Sequence, residues 1–233
     1  MTISRQVKLF QLDLFLHAVF STPLFKGALL TIGLSICVMA LALVMGLGLG
    51  SMANSTRAPV RWLATFYVWL FRGSPALLVL LFVWNGLPQI SPAFRGSWFT
   101  PFFAAFTALS LIQIAYLAEI LRSAFAAVGR GQQEGAAALG MHRWQTFLII
   151  NLPQALRIAV PALMNEFISL LKTTSLATVI SLKELMTVSQ FAIATSFRFL
   201  EWYGAALVYY LAIVSVLTLA QNRIEYVLSR GYR

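Results

Sequence analysis

Two stretches of this chain place ionisable or hydrogen-bonding residues inside runs that are otherwise apolar. The denser one holds Asn165, Glu166, Ser169, Lys172, Thr173, Thr174 and Ser175. Asn165, Ser169 and Lys172 recur at i, i+4 and i+7, one face of a helix, while Glu166, Ser169 and Thr173 follow an overlapping edge. Such a stripe can bind a small polar solute: the carboxylate suits an ammonium or guanidinium, and the amide suits a carboxylate. It can equally be a seam in which Glu166 and Lys172 neutralise groups on neighbouring helices, because charges at membrane depth either line a polar path or pair with one another. The second stretch ends in Tyr116, Glu119 and Arg122. Tyr116 and Glu119 are further candidate solute contacts, although Arg122, three residues on, can hold Glu119 in a structural ion pair. Arg72 can pair with a carboxylate or cap carbonyls freed near Pro75, and nothing local favours a solute-binding role for it.

Other chemistry is excluded by what the 233 residues lack. There is no GxxxxGK[ST] phosphate loop and no Gly-Lys pair, so nucleotide hydrolysis by that route is absent. No HExxH occurs, His17 and His142 lie far apart, and Cys37 is the only cysteine, so neither a metal centre nor a disulfide is expected. No Gly-x-Ser-x-Gly elbow is present. Catalytic residues and metal ligands are therefore both expected to be none. The net charge of +10 raises nucleic acid as a partner, but the 13 arginines and 4 lysines stand singly between apolar segments, without a basic stripe.

The elements that must position the polar residues follow from hydropathy. The chain is 60% hydrophobic and 10% charged, against about 25% charged in a soluble domain. With a mean hydropathy of +0.81 it reads as a polytopic membrane protein. Residues 1–23 form an amphipathic lead-in, not a cleavable signal, because Asp13 and His17 interrupt the apolar run. Five spans of roughly 20 residues fit, at 24–52, 62–87, 101–121, 154–180 and 202–221, with a basic tail at 226–233. The first ends with Gly46 and Gly50, a small-xxx-small pair that packs helices closely within the chain or between chains. The second contains Arg72-Gly73-Ser74-Pro75, so its first half is expected near the interface and its crossing near Pro75. Residues 86–100 read as a turn-rich loop, and so does the stretch carrying Lys183, Glu184, Arg198 and Glu201. Nine basic residues fall on the side of the 131–153 segment and the tail, against six opposite, which puts that side in the cytoplasm and the N-terminus outside.

The longest polar interruption, residues 131–153, GQQEGAAALGMHRWQTFLIINLP, reads as a water-side helix that breaks at Gly140 and stops at Pro153. Glu134-Gly135-Ala136, then Gly140, then Ile150-Asn151-Leu152-Pro153, resembles the EAA signature of membrane subunits in bacterial ABC importers. Gly135 stands where the signature has alanine, a change that loosens a helix by roughly 1 kcal/mol. Phe71-Arg72-Gly73-Ser74-Pro75 and Ala115 to Arg122 resemble segments of the polar amino acid subfamily, as do Gly131-Gln132, Asn165 and Lys172-Thr173-Thr174-Ser175-Leu176, with Thr173 a departure. The likeness covers roughly residues 24–225.

The resemblance implies an all-α integral membrane protein, a type I ABC importer transmembrane domain of about five helices with a short cytoplasmic coupling helix. It implies a non-catalytic permease without cofactor, whose ATP and Mg are bound by a separate ATP-binding subunit. A second permease, identical or homologous, an extracytoplasmic solute-binding protein, an amino-acid or opine-like substrate and membrane lipid are the implied partners. ATPase coupling then falls to Glu134, Gly135, Ala136, Gly140, Arg143, Ile150, Leu152 and Pro153, and substrate contact to Asn165, Glu166, Ser169, Lys172, Glu119 and Tyr116. A stand-alone channel or secondary transporter is the rival reading; it explains the polar stripe but not the 131–153 helix.

Overall fold

The computed structural model describes residues 10–229. The expectations for Arg5, Lys8, Arg230 and Arg233 lie outside those residues. Among the described residues the chain is helical: α1 (Leu12–Val19), α2 (Thr22–Ala53), α3 (Ala58–Gly73), α4 (Ala76–Ile90), α5 (Pro101–Ala126), α6 (Arg130–Ala138), α7 (Arg143–Ile180), α8 (Leu185–Ser196) and α9 (Phe199–Ser229). Four of these, α2, α5, α7 and α9, are long and apolar enough to cross a membrane, and the bent pair α3 and α4 makes up to five if it counts as one broken span. Leu29, Ile36, Val44 and Leu47 of α2, and Leu207, Leu211, Val216 and Leu219 of α9, are exposed. In a bilayer an exposed apolar face of this kind meets lipid, not water. Cys37 sits on that exposed surface of α2.

The centre of the molecule is the α2–α5 pair. A β-carbon on Gly50 would lie 2.9 Å from the Ala118 carbonyl oxygen, and one on Gly46 would lie 3.1 Å from the Ala118 nitrogen. The Gly46/Gly50 pair is thus spent inside the chain, letting the two backbones touch. Leu34 and Val38 of α2 pack with Ala104, Ala105 and Ala108 of α5, and with Val79 and Leu80 of α4, to form the main core. A second cluster joins α1, α2, α8 and α9 through Ala18, Leu24, Leu185 and Ala205.

Several boundaries differ from the sequence reading, each for a physical reason. The chain turns by 102° between α3 and α4. Ser74 there is extended (ψ 135), as a residue preceding proline must be. Helix α4 continues to Ile90 and a short 3-10 turn covers Pro92–Arg95, so the expected loop is partly helical. Helix α5 extends to Ala126 and places Tyr116 and Glu119 well inside it. Pro153 does not stop a helix: α7 runs through it for 38 residues. The preceding turn, Thr146–Asn151, widens to a π-helix. A proline lacks an N–H and crowds the carbonyl four residues back, and a π turn relieves both. The same device, Phe82–Gly86, precedes Pro88 in α4.

The stretch read as a loop around Lys183 to Glu201 contains α8. Its N-terminus is capped by the Glu184 carboxylate, which accepts the Thr187 and Met186 N–H groups. The lead-in also has a defined place. The Gln11 N–H donates to Glu201 Oε1 at 2.9 Å, and the Tyr209 hydroxyl donates to the Val19 carbonyl at 2.8 Å, so α1 lies along α9.

Candidate functional site

The polar residues gather on α5 and on the two elements flanking it. Gln113, Tyr116, Glu119 and Arg122 follow one another at intervals of three on α5, a row that drifts slowly round the helix. Gln113 is 3% exposed, and its Nε2 donates to Glu166 Oε1 of α7 at 3.0 Å. The Arg72 guanidinium, in the last turn of α3, lies over the Tyr116 ring, 5.4 Å from its centroid. Glu119 and Arg122 form a two-pronged pair, Nη2 to Oε1 at 2.6 Å and Nε to Oε2 at 3.1 Å. That pair is about a third exposed. It contributes on the order of 1 kcal/mol or less by its contact alone.

The stripe on α7 is divided among neighbours. Glu166 turns to α5, whereas Asn165 turns to α9 and accepts the Gln221 amide at Oδ1 over 3.3 Å. Gln221 also donates to Glu225 at 2.9 Å. Ser169 and Lys172 are exposed, and among the described residues the Lys172 ammonium has no ion pair. Asn165 and Glu166 bridge helices, while Lys172 has no ion-pair partner among the described residues.

Two residues that the spacing argument passed over are central here. Gln113 was invisible because it is uncharged and its partner is 53 positions away. Arg72 looked unattached because Tyr116 is on another helix. A third omission lies between α7 and α8. The Glu184 side chain is fully buried; Oε1 accepts the Thr187 N–H (2.7 Å) and hydroxyl (2.9 Å), and Oε2 accepts the Met186 N–H (2.9 Å) and the Tyr210 hydroxyl (3.3 Å). Burial pushes its carboxyl above the ordinary glutamate range, and these hydrogen bonds only partly oppose the shift.

The segment carrying Glu134 forms a separate, outward surface. Helix α6 ends in a Schellman turn: the Met141 N–H reaches the Ala136 carbonyl, the Gly140 N–H reaches the Ala137 carbonyl, both at 3.0 Å, and Gly140 takes φ +73. The next helix starts directly, with the His142 N–H donating to the Gln145 side chain at 2.9 Å. Glu134, Gly135, Leu139, Gly140, Arg143 and Trp144 are exposed, Leu139 by 82% and Trp144 by 65%. Ala136, in contrast, is 2% exposed and faces the chain's own interior, where α6 packs on the π-helical turn. Ile150 and Leu152 are half-buried and Pro153 is exposed. Among the described residues no three His, Cys, Asp or Glu side chains cluster as a metal site would need.

A bundle of four to five membrane-crossing elements, with polar side chains meeting between its spans and a capped helix outside them, defines a multi-pass membrane transport subunit. Residues 42–233 match the family described as "Binding-protein-dependent transport system inner membrane component", and the chain belongs to that family. It is 34% identical over 219 residues to a probable amino-acid permease of Bacillus subtilis, covering 94% of this chain and 96% of that one. It is 36% identical over 206 residues to the glutamine transport system permease of Escherichia coli (87% and 91% covered), and 35% identical over 200 residues to an arginine transport system permease of B. subtilis (86% and 90%). Among solved structures it is similar to an amino acid ABC transporter crystallised with histidines, with a TM-score of 0.84, 28% identity, and 93% and 99% of the two chains covered. The MetNI methionine ABC transporter in an inward-facing form, 20% identical with a TM-score of 0.74, shares the fold. The chain is thus the permease subunit of a binding-protein-dependent ABC importer, a transport component of the inner membrane.

Proposed function

We propose that this permease carries a polar or charged amino acid, and that Glu166, steadied by Gln113 beside Tyr116 and Glu119, is the group that meets the amine-bearing part of the substrate. The observation that carries this reading is the Gln113–Glu166 hydrogen bond. It orients a carboxylate at membrane depth with a neutral partner, so the charge is left for a ligand. The names of the relatives, which include arginine and glutamine permeases, support the same class. Ser169 and Lys172 extend the polar surface along α7. Asn165 is tied to Gln221 and contributes through α9. The test is ATP-dependent uptake by Glu166→Gln of arginine and of a neutral amino acid. A loss of uptake of both is expected; unchanged uptake of both sinks the proposal.

In the same reading the energy comes from a separate ATP-binding subunit, which holds the ATP and Mg. That subunit docks on α6 and the start of α7 through Glu134, Gly135, Leu139, Gly140, Arg143 and Trp144. Ala136 would set the packing of α6, not touch the partner, and Ile150, Leu152 and Pro153 would pass the movement into α7. Because α6 is joined to α5 and α7, a shift of the docked subunit moves both polar helices together. A second permease subunit, identical or homologous, and an extracytoplasmic binding protein complete the importer. The α6 side then faces the cytoplasm and α1 begins at the outer side, as the bias of basic residues suggests.

A further inference from the structure

We propose that Arg72 and Tyr116 form the seat for the α-carboxylate of the transported amino acid, opposite the Glu166–Gln113 pair that takes its ammonium. The inference rests on the amino-acid reading above and adds the head-group contacts to it.

The charges around α5 carry the argument. Glu119 is neutralised by Arg122 through two hydrogen bonds. Among the described residues Glu166 has the neutral Gln113 amide as its partner. Arg72, among the same residues, has the face of the Tyr116 ring and no ion pair. Glu166, Arg72 and, farther along α7, Lys172 have no ion pair among the described residues, and two of them, the anion Glu166 and the cation Arg72, meet α5. Both are anchored on the same face of α5, at positions 113 and 116. Positions three apart on a helix have side chains roughly 5–6 Å from each other. An α-amino acid carries its ammonium and carboxylate on one carbon, and receptors on adjacent turns suit that spacing.

The geometry of Arg72 fits the carboxylate half. Among the described residues no hydrogen bond or ion pair of Arg72 accompanies its contact with the Tyr116 ring, so the five N–H donors of its guanidinium remain for a ligand. Two of them match the two oxygens of a carboxylate. Arg72 also sits one residue before Gly73, where a β-carbon would meet nothing within 4 Å, so the approach is open. The carrier of this group is the 102° elbow between α3 and α4. Ligand binding would therefore join three elements, α3, α5 and α7, through one small molecule. Selection at this site would act on the head group shared by all amino acids and leave side-chain choice to other contacts.

The test uses the permease complexed with its ATP-binding subunit in lipid nanodiscs, without the binding protein, and measures displacement of radiolabelled arginine, glutamine or histidine. For arginine, the competitors are agmatine and argininamide, which lack the free carboxylate. Wild type is expected to bind arginine about ten- to a hundredfold more tightly than agmatine, the effect of losing one charge-assisted contact. Arg72→Gln should bind the two alike, and Arg72→Lys should recover part of the preference, since it restores the charge without the fork. No preference in wild type, or a full preference in Arg72→Gln, overturns the proposal. Loss of bound anionic lipid from Arg72→Gln with arginine preference intact also overturns it, and assigns Arg72 to a lipid phosphate. If Arg72→Gln does not assemble, the wild-type comparison decides by itself. If wild type binds and transports none of the three amino acids, it is the amino-acid reading beneath that fails.

Discussion

Gln113 of α5 donates to Glu166 of α7 at 3.0 Å, and the donor is almost wholly buried while the acceptor is partly open. A buried amide thereby fixes one oxygen of a carboxylate and leaves the other without a hydrogen bond among the described residues. Gln113→Leu keeps the volume and removes the donor. It should lower uptake by about tenfold or more, the effect of one hydrogen bond to a charged group. Gln113→Glu should be worse, since it sets two carboxylates against each other. Initial uptake rates in proteoliposomes, with assembly verified by gel filtration, check both.

The contact of Gly50 with Ala118 leaves no space for a side chain. Gly50→Ala forces its β-carbon against the Ala118 carbonyl. Backbone cannot yield as a flexible side chain can, so a loss of about 1–3 kcal/mol is expected from overpacking. Gly48→Ala, where a β-carbon meets nothing within 4 Å, should be nearly neutral. Thermal unfolding of the two variants in one detergent separates them.

Glu184 predicts a pH dependence of stability. Burial raises its carboxyl above the ordinary glutamate value in the folded chain. The folded state therefore holds the proton more tightly than the unfolded state. Stability is full below the ordinary value and falls as pH rises toward the raised one. Glu184→Gln carries no titrating group and should flatten the dependence in that window. It should also lower stability where Glu184 is ionised, because the amide nitrogen that replaces one carboxylate oxygen cannot accept an N–H. Melting temperatures of the solubilised protein across mildly acidic to neutral pH test this.

Gly140 ends α6 with φ +73, and a β-carbon there would meet nothing within 4 Å. Strain, not crowding, therefore limits substitution. Gly140→Asn should be tolerated, and Gly140→Val should cost about 1–2 kcal/mol, seen as a weaker hold on the ATP-binding subunit. Co-purification yields measure it.

The parts of this architecture that the sequence exposes are those with local signals. Hydropathy locates the long spans, the Gly46/Gly50 spacing marks a close helix contact, and Gly140 marks a break. What it hides depends on partners distant in sequence or on irregular helix geometry. Gln113 gains meaning only beside Glu166, and Arg72 only beside Tyr116. Pro153 reads as a stop because proline interrupts the hydrogen-bond ladder of a helix; in the fold the turn before it, Thr146–Asn151, widens to a π-helix and the helix continues. Helix α8 is short, and Thr187, Ser189 and Gln190 break up its apolar pattern, so nothing in its periodicity sets it apart from a loop. Its cap, Glu184, is not among the residue types usual at that position. The face of Ala136 was likewise beyond reach of a motif, which records residue type and not direction.

The proposed coupling joins a polar pathway to an external source of energy through the outward surface of α6. Its most direct measurement is ATP-dependent amino-acid uptake by the reconstituted complex, together with its binding protein, in wild type and in Glu134→Lys. The account predicts uptake that requires ATP and the binding protein in wild type. It predicts that Glu134→Lys abolishes or strongly reduces uptake while the permease itself stays folded. Uptake without ATP, or coupled uptake unchanged in Glu134→Lys, would contradict it.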